Sequence, residues 1–238
     1  MKIFDMKLPT IIDTLNQIIF PESCLGCGKR LHTADDDLLC SNCITQIPTT
    51  GHYNYDTNEI TDLFADNNVP LEYGCTFFNF RKQDWTQNLL HNMKYFNHPR
   101  LAKELGKVAA RELVRLGRYS GTEWIVPVPM HDEKVGMRGF NQAEIIAEGL
   151  SEVMNLPVCK DTMTKTVNST TQAFMQWDER VENASKIFIS RRVGELCGHH
   201  LLLVDDVFTT GSTLIVCSRK LLEAMPDCRI SVFALAKT

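Results

Sequence analysis

The run "LLLVDDVFTTGST", residues 201–213, limits the fold of this chain more tightly than its other motifs. Four apolar residues in a row read as a strand buried on both faces, the mark of a parallel sheet covered by helices. Two adjacent acids follow, then a loop of small residues, then "STLIVCSRKLLEA" with helical spacing. In an open parallel sheet, ligands bind beyond the carboxyl ends of the strands. The strand is expected to end at Val204, so that Asp205 and Asp206 project into a cleft.

The loop that opens the helix carries Thr209, Thr210, Gly211, Ser212 and Thr213. Unpaired backbone N–H groups and the partial positive charge of a helix start favour a phosphate. Gly211 lets the backbone approach closely and the hydroxyls add donors. The acid pair supplies acceptors. A phosphate next to two hydroxyls, or next to bound Mg²⁺, satisfies both sets, and a ribose 5-phosphate has that layout. An ATPase reading fails because G-x-x-x-x-G-K-[ST] is absent. Receiver domains carry their acidic pair early in the fold, whereas this pair lies near the end. The simpler alternative is an acidic N-terminal cap for the helix, which requires one acid and no hydroxyl-rich loop.

The rest of the body fits the same architecture. "LEYGCTFFNF", "EWIVPVP" and "RISVFALA" have strand composition. "DWTQNLLHNMKYF", "HPRLAKELGKVAARELVRLGRY" and "GFNQAEIIAEGLSEVM" have helical periodicity. The expectation is an α/β fold with a mostly parallel sheet flanked by helices. Residues 160–184, rich in Thr, Ser, Asn and Gln, are long for a mere connection and suit an active-site lid or a disordered excursion.

Ahead of this body stands "CLGCGKRLHTADDDLLCSNC", a C-x2-C-x12-C-x2-C pattern in Cys24, Cys27, Cys40 and Cys43. Two such turns can aim four thiolates at one point, and a closed four-thiolate shell suits structural Zn²⁺. Four unrelated free thiols or a redox pair are the alternatives, the latter disfavoured because the pairs do not sit at a strand-to-helix junction. The organisation expected is an N-terminal amphipathic helix over 1–22, a four-cysteine zinc module over 23–47, a polar, turn-rich linker over 48–70, and the α/β domain over 71–238. "ADDD", residues 34–37, reads as a solvated loop tip.

Charge and cysteine usage narrow the function classes. The net charge of −4 is uneven: residues 1–70 hold four basic and ten acidic side chains, a poor electrostatic grip for nucleic acid. No apolar run approaches the roughly 18–20 residues of a membrane span. The first residues lack a secretory pattern, and nine cysteines make an odd count, so a reducing cytoplasm without membrane insertion is expected.

"VDDVFTTGST" resembles the phosphoribosyl pyrophosphate (PRPP) signature of type I phosphoribosyltransferases. More fully, the chain resembles the ComF family of competence-associated, phosphoribosyltransferase-like proteins. The likeness rests on the cysteine module, "MKY" at Met93–Tyr95, "VPVP" at Val126–Pro129, "RGFNQAE" at Arg138–Glu144, Gln172, the Glu179, Arg180 and Asn183 positions, and the PRPP loop. The resemblance implies that Asp205 and Asp206 contact the ribose hydroxyls and, through them or water, Mg²⁺. It implies that Thr209, Thr210, Gly211, Ser212 and Thr213 hold the 5-phosphate. His131 and Arg138 would face the pyrophosphate, and Lys165, Gln172 and Arg180 would belong to a closing lid. Asp205, Asp206, Lys165 and Arg138 are thus the candidate catalytic residues, with Lys94 and Arg180 as further cations.

The function so implied is transfer of phosphoribosyl from PRPP to an acceptor with Mg²⁺. The alternative is a PRPP- or nucleotide-binding accessory protein in DNA uptake or processing. Two departures matter. The family often has Arg where Lys165 stands, which weakens bidentate pyrophosphate binding there. Purine-salvage relatives have Asp where Thr209 stands, which argues against purine salvage. No general base is evident; Glu144 qualifies only by lying one turn into a helix beside the cleft.

Other features carry less. Arg100, Lys103, Lys107, Arg111, Arg115 and Arg118 recur at helical spacing, giving either a solvated face or a surface for single-stranded nucleic acid. His199 and His200 read as surface residues, and Cys75, Cys159, Cys197, Cys217 and Cys228 as small apolar fillers.

Overall fold

The computed structural model describes residues 23–31, 38–95, 98–130, 135–136, 139–165, 187–190 and 193–238. The expected helix over 1–22 and the "ADDD" tip lie outside the described residues. The chain divides into two compact units, Met1–Gln46 and Ile47–Thr238.

In the first unit, a short antiparallel bridge joins Ser23 and Arg30. It is closed by Cys24 N–H donating to the Lys29 carbonyl at 2.8 Å and Gly28 N–H to the Cys24 carbonyl at 2.8 Å. Helix α1 (Ser41–Thr45) begins where Cys40 Sγ accepts from Cys43 N–H. Both C-x2-C pairs thereby sit in turns stabilised by their own sulfurs and amides.

The second unit is built on a sheet of four parallel strands. These are β1 (Tyr73–Asn79), β2 (Trp124–Pro127), β5 (His200–Phe208) and β6 (Arg229–Lys237), in the order β1-β6-β5-β2. A separate antiparallel ribbon pairs β3 (Met163–Lys165) with β4 (Ile187–Ile189). The helices are α2 (Glu59–Asp66), α3 (Trp85–Tyr95), α4 (Pro99–Arg115), α5 (Gln142–Met154) and α6 (Ser212–Ala224). The α/β, largely parallel architecture expected from the sequence is the one observed.

Strand alternation assigns the two faces. Val126, Leu201, Leu203, Ile230 and Val232 share one buried cluster with Ile60 and Phe64 of α2 and Leu214, Cys217 and Leu221 of α6. Leu202, Val204 and Phe233 point the other way, toward the side on which α4 and α5 pack against the sheet and each other. α4 starts at Pro99, whose missing N–H costs nothing in a first turn, and buries Leu101, Leu105, Ala109 and Leu113.

Residues 48–70, read from their turn-rich sequence as a linker, contribute to this core. Asn58 caps α2: its side chain accepts from Ile60 N–H at 2.9 Å while Thr61 Oγ1 accepts from Asn58 N–H at 2.8 Å. The Asn58 amide also donates to the Gly74 carbonyl at 2.8 Å, tying the helix to β1. Ile60, Phe64 and Val69 are buried.

His200, expected on the surface, is buried as the first residue of β5. Its Nε2 lies 2.8 Å from Ser231 Oγ. Of the unclustered cysteines, Cys75, Cys217 and Cys228 are buried and Cys159 is half-buried, but Cys197 is exposed and fills no core.

Candidate functional site

The carboxyl ends of the four strands define one edge of the sheet, and the acid pair lies there in a geometry the sequence did not anticipate. β5 does not stop at Val204. Its partner β2 ends opposite Val204, with Val128 N–H donating to the Val204 carbonyl at 2.8 Å. On the other side β6 continues, pairing Asp205 with Ala234, Val207 with Ala236 and Phe208 with Lys237. The backbone of β5 therefore remains extended through both acids. Asp205 shares the face of Leu201 and Leu203, and Asp206 that of Leu202 and Val204. Asp205 Oδ1 accepts from Asp206 N–H at 2.8 Å, which holds its carboxylate against its own backbone. Both residues are half-buried.

The loop that follows makes a hollow of about 190 Å³ of open space, bounded by Asp205, Thr209, Gly211, Ser212 and Thr213 among others. Gly211 is the residue before α6 and has φ +72°. A side chain there would meet Leu63 Cδ2 at 2.6 Å and the Phe208 ring at 2.9 Å. Glycine thus serves both the left-handed backbone and the close packing of α2 against the loop. The N-cap of α6 is Gly211, which brings no side chain to cap the helix. No acid stands at the N-cap position, and the first residues of the helix line the hollow. Thr210 Oγ1 lies 3.1 Å from Ser212 Oγ.

Lys165 comes from β3, opposite Ile187 of β4. Burial pushes the Cys217 thiol of α6 far above its ordinary range, with Asp205 adding to the effect and Lys165 opposing it. Met163 and Ile187 of the ribbon pack in the cluster of Leu201, Leu203 and Cys217, so the ribbon that carries Lys165 lies on the Asp205 side of the sheet. His131, Arg138, Gln172, Glu179, Arg180 and Asn183 lie outside the described residues.

"RGFNQAE" has architectural work of its own. Asn141 caps α5, its Oδ1 accepting from Ala143 N–H at 3.1 Å, while its amide donates to the Val128 carbonyl at 3.0 Å and to Glu144 Oε1 at 3.2 Å. Buried Gln142 reaches the Met93 carbonyl at 3.5 Å. These bonds lock "VPVP", "MKY" and the start of α5 together and leave Glu144 beside an open hollow of about 690 Å³. The basic stripe of α4 and the turn after it is largely paired. Lys103 and Lys107 bind Glu152 at 2.5 and 2.9 Å, Arg115 binds Glu112 at 2.8 Å, and Arg118 binds Asp56 at 2.6 Å.

In the first unit, the sulfurs of Cys24, Cys27, Cys40 and Cys43 all lie within 4.8 Å of one another, a group that could hold a metal ion. The Cys27 and Cys40 sulfurs are 3.8 Å apart, close to the roughly 3.8 Å edge of a tetrahedron with about 2.3 Å metal–sulfur bonds. Burial raises the Cys24 thiol, but backbone N–H groups of Cys40, Cys27 and Gly26 outweigh it and leave the group lowered to about 7. All nine cysteines are free.

No protein-family model matches the chain. It is 28% identical over 215 residues to Competence protein F of Haemophilus influenzae, covering 90% of this chain and 84% of that protein. It is 30% identical over 153 residues to DNA utilization protein YhgH of Escherichia coli K12, covering 63% and 66%. It is 31% identical over 114 residues to Competence protein ComFC of Bacillus subtilis, covering 48% and 44%. The chain belongs to the ComF family. Among solved structures it is similar to an allosteric regulatory enzyme of purine biosynthesis, with TM-score 0.39 and 18% identity over 60% of this chain and 29% of that one.

Within this ComF chain, no helix among the described residues is long and apolar enough to cross a membrane. Sequence reasoning missed Leu63 and α2 as the wall behind the Gly211 loop. The Asn58–Thr61 spacing, a capping box, was the signal that could have found them.

Proposed function

We propose that the chain binds PRPP with Mg²⁺ and transfers its phosphoribosyl group to an acceptor. The observation that carries this reading is the hollow shared by Asp205 and the glycine-led start of α6. Thr209, Thr210, Gly211, Ser212 and Thr213 hold the 5-phosphate with backbone N–H and hydroxyl donors. Asp205 and Asp206 accept from the ribose hydroxyls. Mg²⁺ prefers phosphate oxygens plus one or two carboxylates, a donor set that this acid pair fits; when bound, it offsets charge on the pyrophosphate. Lys165 balances the same charge from the Asp205 side, and His131 and Arg138 face the leaving group. Departure of pyrophosphate develops positive charge on the sugar, which the two aspartates stabilise.

The four-cysteine group takes Zn²⁺ as a structural ion, with no open position for chemistry. Free thiols throughout suit a reducing, cytoplasmic setting. A second reading is favoured by the names of the relatives: a PRPP-dependent accessory role in DNA uptake or processing, with turnover incidental.

Calorimetry of purified protein with PRPP and Mg²⁺ tests the common core of both readings. Saturable binding, lost in Asp205→Asn/Asp206→Asn, is expected; absence of binding by the wild-type chain overturns both. Pyrophosphate release with an acceptor separates transfer from an accessory role.

A further inference from the structure

Outside the four-cysteine group, Cys197 is the exposed cysteine, and it has a buried neighbour in Cys228. Strands β5 and β6 run parallel and start together, with His200 opposite Arg229. Arg229 N–H donates to the His199 carbonyl at 3.1 Å. Cys197 lies shortly before β5 and Cys228 directly before β6, so strand pairing brings both to the amino edge of the sheet. This edge is opposite the one that carries Asp205 and the α6 loop.

The contacts there are close. The Cys228 thiol donates to the Leu196 carbonyl at 2.9 Å. That carbonyl belongs to the peptide bond joining Leu196 to Cys197, and standard geometry puts the Cys197 Cα about 3 Å from its oxygen. Cys228 Sγ is therefore within roughly 6 Å of the Cys197 Cα. Cys197 Sγ turns the other way, to the Val193 carbonyl of a 3₁₀ turn (Val193–Leu196), at 3.9 Å. A thiol is a weak donor, so this contact holds it loosely. The next residue, Gly198, has φ +77° and no atom within 4 Å of where a side chain would begin, which leaves the turn room to adjust. Rotation of Cys197 about χ1 with a small shift of this turn is the motion that a bridge requires. Burial pushes the Cys228 thiol up, with Cys197 and Asp227 adding to this and the backbone N–H groups of Gly198 and His199 opposing it. An oxidant thus meets exposed Cys197 first.

We infer that Cys197 and Cys228 form an oxidation site for hydrogen peroxide, which closes as a disulfide within the chain. In the first step the Cys197 thiolate attacks one oxygen of the peroxide. The O–O bond breaks, the departing hydroxide takes a proton to become water, and Cys197 becomes a sulfenic acid. In the second step the Cys228 sulfur attacks the Cys197 sulfur. The S–S bond forms as the S–O bond breaks, and the departing hydroxide takes the Cys228 proton as a second water. The two thiols lose two electrons and the peroxide gains them. The bridge closes a loop that holds β5, the proposed phosphate loop and α6. Restricting that segment in the unfolded chain raises stability. In a reducing setting the bridge is transient. The inference does not depend on PRPP binding.

For the test, the full chain is reduced, freed of reductant and given an equimolar amount of hydrogen peroxide. Remaining thiols are alkylated and the peptides mapped by tandem mass spectrometry, so that the four clustered cysteines are read separately. A Cys197–Cys228 disulfide within one chain is expected, reversed by dithiothreitol. The oxidised chain should melt at a higher temperature than the reduced one. Cys197→Ser, at an exposed position, should lose the bridge, leave Cys228 unmodified and melt alike with and without peroxide. Cys228→Ser, whose hydroxyl can still donate to the Leu196 carbonyl, should stop at a Cys197 sulfenic acid that dimedone traps. The wild-type chain should retain little of that adduct. No reaction at Cys197, its oxidation to sulfinic acid without a bridge, or a bridge from it to another cysteine or another chain overturns the inference. So does a bridge that lowers the melting temperature, because the fold then does not bring the two sulfurs together.

Discussion

Leu63 Cδ2 stands 2.6 Å from where a side chain on Gly211 would begin. Helix α2 is thus seated against the backbone of the proposed phosphate loop, and the Phe208 ring closes the same space at 2.9 Å. Alanine at 211 would have to adopt φ +72° as well as push both neighbours back. The left-handed backbone alone costs a non-glycine residue about 1–2 kcal/mol. Gly211→Ala is expected to lower stability by about 1–3 kcal/mol and to weaken PRPP binding at least tenfold. Thermal melts and calorimetry check both. Adding Leu63→Ala should recover only part of the loss, because neither φ nor the Phe208 contact changes.

The parallel sheet was legible because "LLLV" has no polar interruption, and the α6 start because small residues precede a helical period. The extension of β5 through Asp205 and Asp206 was not. Acids are poor strand formers, and their extended backbone here is imposed by β6, which runs on to Lys237. A pairing partner distant in sequence leaves no local trace. The same holds for 48–70, where polar residues hid the spacing of Ile60 and Phe64 that buries α2.

The closeness of α4 and α5 was equally hidden. Gly149 in the middle of α5 looks like a weak point of a helix. A side chain there would meet the Lys103 carbonyl at 2.2 Å, and one at Gly106 would meet the Ile146 carbonyl at 2.7 Å. The two glycines let the backbones touch. Gly149→Ala should therefore destabilise by about 1–3 kcal/mol, although helix propensity alone favours alanine by up to about 1 kcal/mol. Denaturant unfolding gives the sign. A control on the exposed surface of α4, Arg111→Ala, should change stability far less.

The four-cysteine unit is short, so an ion must supply much of its folding free energy. About one Zn²⁺ per chain is expected by colorimetric release. Cys40→Ser should remove it and leave an insoluble or protease-sensitive product. Chelation should expose the thiols of Cys24, Cys27, Cys40 and Cys43 to a maleimide while buried Cys75 and Cys217 stay protected. A stable chain with no metal would remove the zinc assignment without touching the sheet.

Stability should also fall on mild acidification. Burial holds the His200 imidazole below its ordinary value, and Arg229 adds to this, against opposing effects of the Gly121 backbone, Glu72 and Glu123. His52 is lowered in the same direction, by burial first, with Glu59 opposing and Lys237 assisting. In the unfolded chain both groups take a proton near pH 6.5; in the folded chain they do so at lower pH. Between those values the unfolded state binds more protons, so stability rises with pH through the window and is fully present above about 6.5. It declines as pH drops below that point, before carboxylates titrate near about 4. Denaturant midpoints taken every half pH unit from 5 to 7.5 measure the slope. His200→Gln, which keeps a donor for Ser231 but cannot titrate, should reduce it and leave the His52 share. An unchanged slope would mean that charging His200 is compensated in the folded chain.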